Sequence, residues 1–454
     1  MLELSGEWWL PQREDRHVAG TLVVEDDGHA RLTLIGELRT MFEEGEKSVS
    51  DDGQTTTISM TQASLDAAAV YPRIIGQVGA RYLTLEDCLR GQHNRNLMGG
   101  LASEMIQCGQ VFDGLGFGAG EPLEFDGIAF QLRWLTHWLQ ESALEESHQF
   151  EEADDGGSLV KITSSVQRRP AKILQLGSGS LTLGHSFGIH GDRVRERTLE
   201  QGHYFRIELG SLVPLDDLSD LASDLQDLLT MAVNRTAEFE GTVELLHPQS
   251  QHTLPSGRSV RTVVKWHAAW SARDKSTKTA PSDDDMLFTF AEFGGMDGVA
   301  RWLPLAARHR SALGRVMATR YSPSMYVSDR LLNRAAAIEA FDRVETGFEN
   351  STFATRLTRC TELAGDPFQD LVQDIDRWVR EVKDDRDDIA HHYGRRLRHQ
   401  TREQLFLSDS VYWLFVYCML RLAGASDAAF ERAARHPAVQ WTKRGLAGAH
   451  ASKH

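Results

Sequence analysis

The feature that most constrains this chain is a change of hydrophobic period near residue 305. Before it, apolar and polar residues alternate in short runs divided by turn residues, the period of two that turns one side of a strand toward a core. VAGTLVVE, EDDG and ARLTLIGEL follow one another in this way, as do SDDG before QTTTISM, then RYLTLED, FDGIAFQL, SLVKITSSV after ADDGG, and AKILQL with SLTLGHSF around GSGS. After it the period becomes 3.6 and strand signals largely stop. A chain of 454 residues is too long for one hydrophobic core. The expected fold is therefore α+β: a β-rich, sandwich or barrel-like region over residues 1–305, with a candidate internal split near 145–160, followed by an all-α bundle over 306–454.

Two helical stretches interrupt the first region, LRWLTHWLQ at 132–140 and Leu215 to Val233. The acidic run EESHQFEEADD at 145–155 reads as a solvated loop between strands. RDKSTKTAPSDDD at 273–285 reads as another long loop.

In the second region Ser328 is placed to cap a helix through DRLLNRAAAIEAFDRV. Asp366 followed by Pro367 is a further start signal, and Phe368, Leu371, Val372, Ile375, Val379 and Val382 then form one apolar stripe. A third helix covers 403–423, apolar through its middle and ended by Gly424. The segment KDDRDDIAHHYGRR is expected between the last two.

Charge is unevenly spread. Residues 310–454 carry 22 Lys plus Arg against 19 Asp plus Glu, whereas residues 1–309 carry 27 against 46, so a phosphate ligand would favour the C-terminal part. The start, MLELSGEWWLPQRED, lacks the basic and apolar pattern of a secretory signal. The apolar run VYWLFVYCML at 411–420 falls short of the ~20 residues that cross a bilayer. Cys88, Cys108, Cys360 and Cys418 form no C-x-x-C pair, which fits a reduced cytoplasm and no membrane.

Arg386 is followed by Asp387 and, after four intervening residues, by His391. An arginine followed by a histidine after four to six residues also occurs at Arg197 with His203, Arg261 with His267 and Arg444 with His450. Only the copy at 386 has a polar residue directly after the arginine, a long amphipathic helix before it and a buried helix soon after. Among weaker candidates, His185, His190 and Asp192 fit no metal-ligand spacing. GSGS lacks the Lys and Ser/Thr of a phosphate loop, and EFGGMDG at 292–298 reads as a turn.

RDDIAH resembles the motif of the HEPN superfamily, and the closer likeness is to the ApeA-type HEPN proteins of bacterial anti-phage defence. DLVQDIDRWVREVKDDRDDIAHH resembles their motif helix, LLNRAAAIEAFDR their earlier helix with Glu339 at the matching acidic position, and GEWWLP, VAGTLVVE and YLTLEDC their N-terminal domain. The resemblance implies a metal-independent endoribonuclease of abortive infection that cleaves cellular RNA, tRNA being the first candidate, when a phage-derived trigger reaches the N-terminal region. It implies no cofactor, and a homodimer or higher homo-oligomer through the helical domain. The alternative is a non-catalytic HEPN scaffold that binds RNA or nucleotide or pairs with an antitoxin.

The residue types suit that chemistry. An imidazole titrates near neutral pH and exchanges protons, the role assigned to His391, with His392 the alternative or supporting histidine. A guanidinium stays charged and offers paired donors to phosphate oxygens, the role assigned to Arg386. Residues five apart lie ~140° round a helix, so the two would converge only if the helix breaks or a second chain completes the site. Asp387 shares a face with His391 and either orients the ring or forms a plain surface ion pair. Arg395, Arg396 and Arg398 either hold RNA backbone or form a solvated basic helix start.

Overall fold

The computed structural model spans Met1–His454 and describes residues 1–40, 46–49, 56–59, 66, 69–94, 102–152, 158–253, 259–269, 279–322, 324–391 and 401–451. Two compact units divide the chain, and neither is one continuous stretch. The first holds Met1–Phe130, Arg206–Leu218 and Glu240–Ser271; the second holds Gln131–Phe205, Ser219–Phe239 and Ala272–His454.

The first unit is built on two three-strand meanders, Leu2–Trp9, Val18–Val24 and Ala30–Ile35, then Val70–Val78, Arg81–Asn94 and Ser103–Asp113. Leu2–Trp9 pairs with Val70–Val78, and Ala30–Ile35 pairs with Ser103–Asp113, so the six described strands close an antiparallel barrel. Closure leaves the ring no unpaired edge. Ser103–Asp113 changes neighbour part-way: residues 103–108 pair with Ala30–Ile35, and 110–113 pair with Val264–Ala268.

The interior follows the period of two: Ala30, Leu32 and Leu34 are buried while Arg31, Thr33 and Ile35 face out. Trp8 is fully buried and its indole N–H donates to the Gly20 carbonyl at 3.1 Å. Gly76 packs against the same ring, where a Cβ would overlap the indole, so a side chain there is excluded. One polar cluster is sealed in this unit. Glu104, 1% exposed, accepts from the Tyr71 hydroxyl at 2.6 Å, Arg90 Nε at 2.5 Å and the Leu38 amide at 3.1 Å.

In the second unit, Lys172–Leu176 and Gly179–His190 form a hairpin whose two-residue turn puts Gly177 at φ 57, as expected for GSGS. The acidic run differs from its loop reading. Leu144–Glu152 is a strand paired with Ser158–Val166. Phe150 and Ile162 are both well exposed, so this ribbon is solvated, and its acidic strand Leu144–Glu152 carries no alternation to betray it.

The helices are α1 Leu135–Leu139, α2 Leu215–Ala232, α3 Gly295–Tyr321, α4 Val327–Thr346, α5 Phe353–Ala364, α6 Asp366–Val372, α7 Ile375–His391, α8 Thr401–Leu422, α9 Asp427–Arg435 and α10 Pro437–Ala451. The helical region thus opens at α3, ahead of the period change near 305. Gly294 and Gly295, both at positive φ, and Pro304 inside the helix disguise its start. α4 begins after Tyr326 rather than on a Ser328 cap, and no side chain caps it.

The stripe from Phe368 to Val382 is two helices. Gln373, at φ 66, stops α6, and the Asp374 carboxylate then accepts from the Arg377 amide at 2.9 Å to start α7. α8 is the core helix, with Val411 to Leu420 buried throughout. Arg402–Leu422 has the length and apolar composition to cross a bilayer, longer than the run 411–420 suggests, and 78% of its apolar window is buried in the fold.

Candidate functional site

Three helices build the candidate site. α7 buries Trp378, Val382, Asp385 and Ile389 at spacings of four, three and four, which turns Lys383, Arg386 and Asp387 to its partly exposed side. Trp378 anchors that face, donating to Ser410 Oγ at 2.8 Å and meeting Phe368 edge-on at 4.9 Å. α4 contributes Glu339, and the first residue of α5, Phe353, follows a Thr352 cap that accepts from the Thr355 amide.

Arg386 is the centre of the cluster. Its Nη2 donates to Glu339 Oε1 at 2.6 Å, its Nη1 to Asp387 Oδ1 at 3.0 Å, and the guanidinium carbon sits 5.3 Å from the Phe353 ring centroid. These contacts use two of the five N–H donors of a guanidinium. Arg386 and Glu339 are 29% and 24% exposed, so the pair remains open to a ligand.

The other Asp387 oxygen lies 3.1 Å from Lys383 Nζ. Burial works against charge on Asp387, but the hydrogen bonds from Lys383 and Arg386, and their charges, hold its carboxyl below the usual carboxylate range. The same contact pushes the Lys383 ammonium up.

α7 is unbroken through the motif, and His391, exposed, is its last described residue. On a continuous helix Arg386 and His391 stand ~140° apart round the axis, so α7 alone does not bring them to one point. Arg386, Asp387 and Glu339 are brought together. His392, Arg395, Arg396 and Arg398 lie outside the described residues. The segment from Lys383 to His391 belongs to the helix rather than to the connection after it, because Ile389 extends the apolar stripe by one more turn.

A buried layer supports this cluster, and sequence reasoning missed it. Asp342, one turn after Glu339 on α4 and 1% exposed, accepts from Arg356 Nη1 at 2.9 Å and Arg359 Nε at 2.7 Å. Arg356, 2% exposed, also donates to the carbonyls of Phe348 at 3.1 Å and Glu349 at 2.7 Å. Lys383 was legible as an i,i+4 partner of Asp387. Phe353, Arg356 and Arg359 gave no local signal, because their partners are distant in sequence.

The first unit holds a separate ligand-sized cavity of about 740 Å³. Trp9, Tyr82 and Phe117 supply aromatic wall and Arg81 and Lys265 supply cations, beside the run Gly114 to Gly118. Arg81 pairs with Asp113 at 2.9 Å. Among the described residues no group of three or more His, Cys, Asp or Glu is arranged to hold a metal ion.

The family model described as ApeA N-terminal domain 1 matches residues 3–300. No curated protein and no solved structure matches the chain.

Proposed function

The chain belongs to the ApeA N-terminal domain 1 family, which makes it an ApeA-type anti-phage defence protein, and from that premise we propose that its helical region is a metal-independent HEPN endoribonuclease that cleaves cellular RNA once the N-terminal region is triggered. The observation that carries this reading is the guanidinium of Arg386, held by Glu339 and Asp387 on a partly open surface, on the same helix as His391. Arg386 stabilises the charge that builds on the phosphorane. His391 moves the proton between the 2′-hydroxyl and the leaving oxygen, a contribution of ~10²- to 10⁴-fold.

Because α7 holds the two groups apart, the reading calls for a homodimer in which Arg386 of one protomer and His391 of the other line one cleft. Glu339 fixes the guanidinium plane. The cavity at Trp9, Tyr82 and Phe117 is the proposed place for a phage-derived trigger. tRNA is the first substrate to examine.

The decisive experiment expresses wild type, Arg386→Ala and His391→Ala at equal levels with and without phage and sequences RNA ends. New 2′,3′-cyclic ends and defence in wild type alone support the assignment. Equal RNA integrity and equal defence in all three reject it.

One observation favours a second reading, a non-catalytic scaffold that binds RNA or nucleotide: both terminal nitrogens of Arg386 already engage carboxylates of its own chain. Purified protein that binds RNA but produces no cyclic ends in EDTA would select it.

A further inference from the structure

Beside the Arg386 cluster, the turn between α4 and α5 has an unusual construction. Gly347 closes α4 in the left-handed conformation at φ 70. After such an ending, an apolar residue at the next position ordinarily folds back onto the last helical turn. Phe348 does not, and is 63% exposed. Its backbone is nonetheless held, because Arg356 donates to the carbonyls of Phe348, Glu349 and Ser351. A guanidinium almost fully removed from water is costly unless its donors are satisfied, and here it is committed to fixing a surface turn whose aromatic ring faces solvent.

The ring has a partner. Arg359 sits with its guanidinium carbon 5.7 Å from the Phe348 centroid and is itself anchored by Asp342. One helical turn away on α4, Glu339 anchors Arg386, which sits 5.3 Å from the Phe353 centroid. Two guanidinium-on-phenyl pairs therefore hang from successive turns of α4, each arginine pinned by a carboxylate of that helix. Alternating planar aromatic and cationic surfaces are what unstacked bases and their phosphates bind, whereas a duplex keeps its base faces covered.

We infer that Phe348 with Arg359, and Phe353 with Arg386, form a base-stacking platform at the α4–α5 turn, a subsite that holds unpaired bases of RNA beside the Arg386 cluster. This rests on the ribonuclease reading for its choice of RNA, but binding tests it apart from cleavage. The platform takes one base on the exposed face of Phe348 and presents the neighbouring phosphate to Arg386.

The experiment uses full-length protein carrying His391→Ala, so that RNA survives, and follows the fluorescence anisotropy of a labelled oligoadenylate and of an RNA duplex of equal length. Adding Phe348→Ala is expected to weaken oligoadenylate binding by about 5- to 150-fold, the range for loss of one stacked base. Phe348→Trp should restore it, Phe348→Leu should not, and duplex binding should be weak in all four. Circular dichroism checks that each variant is folded. Equal oligoadenylate affinity in the Ala and Trp variants, duplex bound as well as oligoadenylate, or no binding of either RNA would each overturn the platform. Wild type that forms cyclic ends while the Phe348→Ala variant binds normally sinks this inference and leaves the nuclease standing. Phe348-dependent binding by a protein that never cuts does the reverse.

Discussion

Two arginine–glutamate pairs in this chain look alike by distance and differ in everything around them. In the barrel, Arg90 meets Glu104 at 2.5 Å with side chains 9% and 0% exposed, and the carboxylate is completed by Tyr71 and the Leu38 amide. On the helices, Arg386 meets Glu339 at 2.6 Å with both partners about a quarter exposed. The first pair has no room for anything else, and burial pushes the Tyr71 hydroxyl well above its ordinary range. The second keeps donors for a ligand. An ion pair's surroundings, rather than its length, separate a sealed structural lock from a pair still open to a ligand.

The largest expected effect falls on the open pair. Arg386→Ala and His391→Ala should each lower the rate of cyclic-end formation by ~10²- to 10⁴-fold, while urea unfolding midpoints stay near wild type. A midpoint that falls with activity would erase the contrast. The sealed pair should behave oppositely: Glu104→Ala removes the buried carboxylate that Arg90, Tyr71 and the Leu38 amide share and should cost ~3–5 kcal/mol in urea unfolding, against under ~1 kcal/mol for Glu339→Ala.

Asp227 sharpens the comparison because it is a sealed carboxylate whose hydrogen-bond partner is the Tyr321 hydroxyl at 2.5 Å rather than a cation. Burial pushes its carboxyl up to about 8, against the opposing pull of that hydroxyl. The folded value lies above the unfolded one, so its contribution to stability is full below about pH 4 and is lost as pH rises through about 8. Asp227→Asn should flatten this loss, gaining more than ~1.4 kcal/mol over wild type at alkaline pH, the worth of one pKa unit. Urea midpoints across a pH series check it, and parallel curves would refute it.

The smallest effect is at Lys383. Its removal should raise the Asp387 titration point, seen by carbon-13 NMR, and change stability by under ~0.5 kcal/mol. Because the folded Asp387 value is depressed, the stability it lends is present above its unfolded value and lost as pH falls through the folded one.

The barrel was legible because its strands obey one period over long runs; Ala30, Leu32 and Leu34 announce their inner face. What was illegible had no period to show. The ribbon at Leu144–Glu152 is wet on both faces, and α3 starts among glycines. At the site, Arg386, Asp387 and Glu339 were read from a motif and a resemblance, and the structure brings them together. The layer beneath them was hidden, since Asp342, Arg356 and the carbonyls after Gly347 meet only once α4 and α5 have folded back on each other. Asp385, buried at 1% exposure within the apolar stripe, likewise carried no sequence signal.

The stop at Gln373 makes the motif helix a separate element from the one before it. With φ at 66 the backbone breaks there, so Gln373 is the pivot about which α7, anchored by Trp378, would tilt. At ~1.5 Å per residue, its far end stands about 27 Å from the pivot, and a tilt of about 10° would sweep His391 through about 5 Å. In the proposed nuclease, a small displacement near Asp374 would therefore be magnified at the imidazole of His391.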